Sequence, residues 1–474
     1  MALELSDITF TEQDDIVPAS GVEEIFNTGI TKTLAGNDII TGENTYSIPE
    51  GPIPVNSGIR TYGGILDTGN GNDTITGLYN ELKGDSFAGF GIYIIESTID
   101  TGNGDDIITG ISIDIGQGIQ SYRSLIKTGE GNDIITGIVQ GGEGVGISHG
   151  YSTIDTGNGN DIINGTALRG ITFGFEATVT TGDGNDTIAG TSTGDIVSIG
   201  IGLENLDIYN TIVDTGDGDD IITGTAPHGY GIVNQANMTT GDGNDTIIGI
   251  GSINYYGIIN YFLDNIINTG NGADSIISQG NLLNRGGLFL GDGNDSITAD
   301  TDFPNRALEN FNFIGTGDGN DIITSTGVIY NEGVIETGNG DDSIIVDGPV
   351  QTGFGYGIYN NGGAINTGNG NDSIIANEGF ESAPNSSGAW FLGEGEDYLK
   401  GYGSGDFYGG EGNDTLELTP GTYTVGIWGE GWDTSAIFTK GNQLMITSEF
   451  EKLIAGGTTY DFSSLTAGQI IIVA

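Results

Sequence analysis

This 474-residue chain has no cysteine, nine prolines, two histidines and eleven basic residues, and no apolar run long enough to cross a bilayer. The shortage of basic charge excludes most. Sixty-five acidic residues leave a formal charge of −54, and no Lys or Arg occurs between Arg169 and Arg285. Such a chain is expected to stay soluble, to be repelled by nucleic acid and not to insert into a membrane. The start, Met1 to Phe10, is acidic and the first Lys is Lys32, so no Sec-type signal is expected. His149 and His228 each stand before Gly-Tyr with no evident partner. Both are expected at the surface, and the chain is expected not to be an enzyme. A calcium-dependent polysaccharide lyase or epimerase on a parallel β-helix is the competing class.

What is present is a repeat. Twelve times between Leu66 and Ile374 the chain runs U-x-T-G-x-G-x-D-x-I, where U is a large apolar residue, with Leu290 once in place of the Thr. Copies recur at intervals in the period range of solenoids, so one copy is one coil. The opening apolar residue (Leu66, Ile99 to Ile365) and the closing Ile (Ile75, Ile108 to Ile374) alternate with polar neighbours, as half-buried strands require. Gly-x-Gly between them supplies a tight corner. That corner is a β-arc rather than a hairpin, because identical corners stack only if successive coils run parallel.

A third ladder lies upstream of each copy and reads Gly-x-Gly-Ile or Gly-Ile, as at Gly89 to Ile92 and Gly144 to Ile147. In five coils its Ile stands seven residues before the opening residue, as with Ile92 and Ile99. This spacing predicts one fixed corner, with length variation confined to the edge between the closing Ile and the upstream strand. The expected fold is therefore all-β, a right-handed parallel β-solenoid of roughly 15 coils with end caps. Its 88 glycines mark corners, not disorder. Residues 1–32 are expected to be an N-terminal cap or assembly strand, 33–391 the main solenoid, 392–433 a β-roll-like continuation and 434–474 a C-terminal cap.

Stacking puts the motif Asp residues in a line at strand spacing, where like charges about 5 Å apart repel by about 1 kcal/mol in water and several at an effective dielectric near 20. Counterions answer this, and a hard divalent cation such as calcium suits the carboxylates and backbone carbonyls of the corner. The alternative is a metal-free arc held by Asn and Asp hydrogen-bond ladders.

Gly-x-Gly-x-Asp-x-Ile resembles the nonapeptide repeat of RTX, or hemolysin-type calcium-binding, proteins. The fullest match is Gly409 to Leu416, with looser copies at Gly393 to Leu399 and Gly429 to Asp433 and an early one at Ala35 to Ile40. The resemblance implies calcium between corners of successive coils. Its ligands would be Asp73, Asp106, Asp133, Asp161, Asp186, Asp220, Asp245, Asp274, Asp295, Asp321, Asp342 and Asp372, with Asp397 and Asp414 continuing the row. Two departures are that Thr replaces the first glycine and that copies come once per coil, which implies one metal row instead of two. The resemblance also implies export by type I secretion without an N-terminal signal, the end from Phe450 to Ala474 resembling an uncleaved secretion tail. The expected role is structural or adhesive: an extracellular, cell-surface filament, lattice or adhesin, self-associating end to end through the apolar segment of Leu3, Leu5, Ile8 and Phe10, with cell-surface polysaccharide as a candidate partner. Ice or surface binding is a further alternative, although the residue between the two glycines is Asn, Asp or Glu in every copy.

Overall fold

The computed structural model describes all residues except 1–2, 19–23, 45–55, 81–88, 114, 142, 196–197, 205–210, 253, 302–305, 349–354, 383–387 and 430–434. It divides into two compact units, Met1–Ile259 and Asn260–Ala474. Apart from two short 3-10 turns, the regular structure of the described residues is entirely β.

In the first unit each coil has three strands, represented by Gly89–Ile95 (upstream), Thr98–Asp100 (opening) and Ile107–Ile113 (closing). Each pairs in parallel with its equivalent in the next coil, in register, so that Ile92 meets Ile119, Ile99 meets Ile126 and Ile108 meets Ile135. A parallel β-solenoid is the result. Alternation explains the three ladders: one face of each strand is buried and the other is half-exposed. The closing Ile residues, from Ile75 to Ile374, and the opening residues, from Leu66 to Ile365, are at most 2 % exposed. Burying such a side chain contributes about 1.5–3 kcal/mol.

The N-terminal segment is already part of this ladder system. Leu3–Glu4 pairs with Ile25–Phe26 in the upstream ladder, Ile16–Val17 pairs with Ile39–Ile40 in the closing ladder, and Leu5 is fully buried.

The second unit repeats the three ladders until Phe380–Ser382, its last upstream strand. Beyond it the coils narrow: Ala389–Gly395 pairs with Asp406–Gly412 and Tyr398–Lys400 with Thr415–Glu417, only 17 residues apart. The unit closes in antiparallel strands, Gly421–Trp428, Ser435–Lys440, Gln443–Ser448 and Ile470–Val473. The repeat copy at Gly429 to Asp433 lies, from residue 430 on, outside the described residues.

Two expectations are corrected. Length variation is not confined to one edge: Ile201 is the partner of Ile171 and Ile232 in the upstream ladder, yet it precedes its opening residue Val213 by twelve residues, and Ile232 precedes Met238 by six. His149 is not a surface residue. It is 2 % exposed, points inward two positions after Ile147, contacts Ser121 through Nδ1 and meets the Phe173 ring edge-on. Burial pushes its pKa down to about 4, so it is neutral at pH 7. His228 is exposed, as expected.

Candidate metal centre

The corner between opening and closing strands is built on two glycines of positive φ, +84° at Gly102 and +142° at Gly104, conformations that residues with a Cβ rarely adopt. Stacking adds a second requirement. A Cβ on Gly102 would lie 1.7 Å from the carbonyl oxygen of Gly69, and one on Gly104 would lie 1.8 Å from that of Gly71. Only a Cα hydrogen fits between coils there.

The motif Asp turns inward from this corner. Within each unit all the Asp residues named from the sequence form one column, each at most 1 % exposed. They are joined in one direction: the backbone N–H of each donates to Oδ1 of the Asp in the following coil, Asp73 to Asp106, Asp106 to Asp133, Asp133 to Asp161 and so on to Asp220 and Asp245, at 2.7–2.8 Å. In the second unit the same bonds run from Asp274 to Asp295 and on through Asp321, Asp342, Asp372 and Asp397 to Asp414, at 2.7–2.9 Å. Such charge-assisted bonds satisfy an N–H that the strand ladders leave over.

A second ladder runs the opposite way on the outside. In most coils the residue before the Asp presents its side-chain oxygen to the N–H of its equivalent in the following coil, Asn72 to Asp105, Asp105 to Asn132 and Asn132 to Asn160; Ala273 interrupts this ladder. Corners that carry both ladders are held from inside and from outside by antiparallel sets of hydrogen bonds. The Asn and Asp ladders of the metal-free alternative are present; they use only one oxygen of each inner Asp.

The other oxygen is the informative atom. Oδ2 of Asp73, Asp106, Asp133, Asp161, Asp186 and Asp220, and of Asp295, Asp321, Asp342, Asp372, Asp397 and Asp414, is buried with no hydrogen-bond partner. Where a Thr precedes the corner its hydroxyl lies close enough to lower the pKa of the Asp, but the hydrogen bond that Thr128 and Thr181 make goes to the Thr carbonyl of the next coil, Thr156 and Thr215; Asp295, Asp397 and Asp414 have Leu290, Leu392 and Gly409 at that position and no Thr. Asp245 differs, since Thr240 donates to its Oδ2 at 2.6 Å. None of the five ion pairs among the described residues involves the row.

Desolvation accordingly pushes the carboxyls up, to about 6 for Asp73, Asp342 and Asp397 and about 7 for Asp106, Asp161, Asp220, Asp295, Asp372 and Asp414. Neighbouring Asp charges add to the effect, as Asp133 and Asp186 do at Asp161. A row of buried carboxyls in this state calls for protons or cations. Among the described residues no three acidic or His side chains converge. A cation here would therefore combine row carboxylates with Thr hydroxyl and backbone carbonyl oxygen. This all-oxygen set fits calcium and does not fit zinc or copper, which take His or Cys.

Three elements of the row and core go beyond the sites named from the sequence. Asp38 lies in the early copy at Ala35 to Ile40, which the sequence shows, but it is not among the named ligands; it heads the first unit's row, accepting from the Asp15 N–H and donating to Asp73. Glu451 ends it, its carboxylate taking the Asp414 N–H at 2.7 Å where the next Asp would stand. No motif marks that position. The third is an internal asparagine ladder in the second unit, in which Asn260, Asn284, Asn310, Asn331 and Asn360 pass side-chain hydrogen bonds from coil to coil at 2.8–3.0 Å. The recurrence of U-x-Asn in the upstream strands was its available signal.

No family model matches the chain, and no curated protein matches it. Among solved structures, the chain is similar to a hyperactive, Ca2+-dependent, β-helical antifreeze protein from an Antarctic bacterium, with 20% sequence identity and a TM-score of 0.37 over 77% of this chain and 84% of that one.

Proposed function

We propose that the chain is a secreted calcium-binding β-solenoid with a structural role at the cell surface. One observation carries the reading: a column of buried Asp residues, each with one oxygen hydrogen-bonded to the neighbouring coil and, in most, the other left without a partner. Leaving a buried carboxylate unpaired costs several kcal/mol, and a divalent cation removes that penalty where no basic side chain can. Calcium is the favoured ion because it accepts carbonyl-rich, irregular oxygen coordination, whereas magnesium demands near-octahedral geometry and keeps its waters. At extracellular, millimolar calcium even weak sites fill; in the cytosol the row would stay charged and the coils loose, which suits export before folding. Catalysis is no part of this reading. Self-association into a filament or lattice, with calcium relieving the repulsion between acidic chains, is its finer part.

The experiment is circular dichroism of chelated protein. β signal should be lost on chelation and return with calcium but not with magnesium. An unchanged spectrum and melting point in chelator would favour metal-free arcs.

A second reading, binding to ice or another ordered surface, is favoured by one observation. On the half-exposed side of the closing strands Thr76, Thr109 and Thr136 stand in register on successive coils, beside Thr74, Ile107 and Ile134. Thermal hysteresis measured in millimolar calcium tests it. No depression of the freezing point relative to a non-binding control rejects it.

A further inference from the structure

We propose that the outer face of the C-terminal antiparallel sheet is the contact surface for a second copy of this chain. The inference rests on the self-association part of that reading, narrows it to a closed two-fold pair in place of a filament or lattice, and depends on no calcium site.

The sheet runs Gln443–Ser448, Ser435–Lys440, Gly421–Trp428, Ile470–Val473. Its inner side is closed by Phe438, Met445, Tyr423, Val425 and Ile471, each at most 3 % exposed. Its outer side has the composition of an interior. Ile470 and Ile472 are 64 % and 71 % exposed and Leu444 44 %. Pairing joins Ile470 to Thr424 and Ile472 to Thr422, and joins Thr439 to Leu444 and Ile437 to Ile446. Gly426, opposite Ile437, keeps the middle of the face flat. An apolar face of this kind on a soluble chain marks an interaction site.

Charge selects the occupant. The four strands carry one ionic side chain, Lys440, which lies on the inner side over the rings of Tyr402 and Tyr423. Residues 435–474 hold Lys440 and Lys452 against Glu449, Glu451 and Asp461, a formal 2 − 3 = −1, so −53 of the −54 resides in the remaining chain. A basic partner would be drawn to the acidic corners, not to this face, and an anionic membrane would be repelled by everything around it. Repulsion between two copies is weakest at this uncharged face. A two-fold contact pairs the face with itself and needs no complementary charge. Geometry agrees: among the described residues Ile470–Val473 is paired only with Gly421–Thr424, leaving an edge that can add its equivalent antiparallel, as two-fold symmetry requires.

The test is the mass of the full chain in solution by sedimentation equilibrium in calcium. A mass of twice 49.0 kDa is expected at micromolar concentration. The doubly substituted Ile470→Asp, Ile472→Asp chain should be monomeric with the melting curve of the parent, because both side chains point to solvent in the single copy. Ile470→Lys with Ile472→Lys should also be monomeric, which separates loss of apolar contact from added like charge. Deleting residues 1–15 should leave the dimer intact. A monomeric parent at 100-fold higher concentration overturns the proposal. So does a dimer that survives both double substitutions or vanishes on N-terminal deletion. The calcium reading is judged separately, by melting with and without chelator.

Discussion

The two units share a corner and differ inside. In the first unit the residue two after each closing Ile is glycine, from Gly77 and Gly110 to Gly249, and it faces the glycine of the upstream Gly-x-Gly. A Cβ on Gly110 would lie 2.2 Å from the carbonyl oxygen of Gly118, and one on Gly137 would lie 2.1 Å from that of Gly146. The two backbones touch, pinching each coil at the waist. In the second unit the same position holds Ser278, Ala299, Ser325, Val346 and Ala376, all buried, and there the upstream strands bring the asparagine ladder instead. The inward residue two after the upstream Ile shifts more gradually: Ile94, Ser121, His149, Phe173 and Leu203 stand in the first unit, but so do Asn27 and Asn234, and Asn284, Asn310, Asn331 and Asn360 fill the position in the second. The corner and its Asp column are therefore a constant frame, and the interior is a local solution fitted to it.

Removing calcium should have the largest effect, and it should ignore the difference between the units, since both carry the Asp row. A site with a dissociation constant near 0.1 mM contributes about 1.4 kcal/mol at 1 mM calcium, accumulating along the row. Asp161→Asn sharpens this: it should lower the melting temperature in calcium and raise it in chelator, because the amide still accepts the Asp133 N–H but carries no charge. A fall under both conditions would mean that the row serves only as a hydrogen-bond ladder.

Next in size is the waist. Gly110→Ala should cost about 3 kcal/mol or more by overpacking backbone against backbone. Ala299→Gly, at the equivalent position, should cost about 1 kcal/mol. Denaturant midpoints of equal size for the two would erase the distinction.

The inner columns come third. Asn310 donates to Asn331 and to the Val334 carbonyl and accepts from Asn284. Asn310→Leu keeps the branched heavy-atom shape yet leaves those groups unpaired, for about 2 kcal/mol, and Leu203→Asn should cost about as much for the converse reason. Neutral effects in urea melts would show that the columns are interchangeable.

The last comparison concerns pH and, like calcium removal, acts on the whole row. An Asp whose folded pKa is raised above its unfolded value binds a proton on folding. In chelator, stability should therefore rise as pH falls through the folded values of about 6 to 7, and the gain should be complete below the unfolded value near 4. In calcium the trend should reverse over the same window, because protonation displaces the ion. A chelated protein whose melting temperature is flat from pH 8 to pH 5 would show that the folded row binds no more protons than the unfolded chain, its carboxyls titrating at ordinary values.

The solenoid, the column of named Asp residues in each unit and the buried Ile ladders were legible because they rest on local rules. A strand alternates with period two, and a glycine of positive φ turns the same corner wherever it recurs. Asp38 and Glu451 were harder to find because they enter the row through position alone, outside a full motif. His149 stands two residues after the ladder residue Ile147, so strand alternation already points it inward; a lone polar side chain beside Gly-Tyr suggests a surface turn and masks that signal.

By itself the sequence determined that coils stack in parallel and that carboxylates line up at strand spacing, since both follow from one motif repeated at every corner. Only the tertiary structure decided that each Asp turns inward to bond the neighbouring coil with one oxygen, that glycines meet at the waist of one unit, and that an asparagine ladder fills the other. The reason is that what fills a coil's interior depends on the strand across from it, and strands facing each other are set by how the chain closes each coil, not by any stretch of residues read alone.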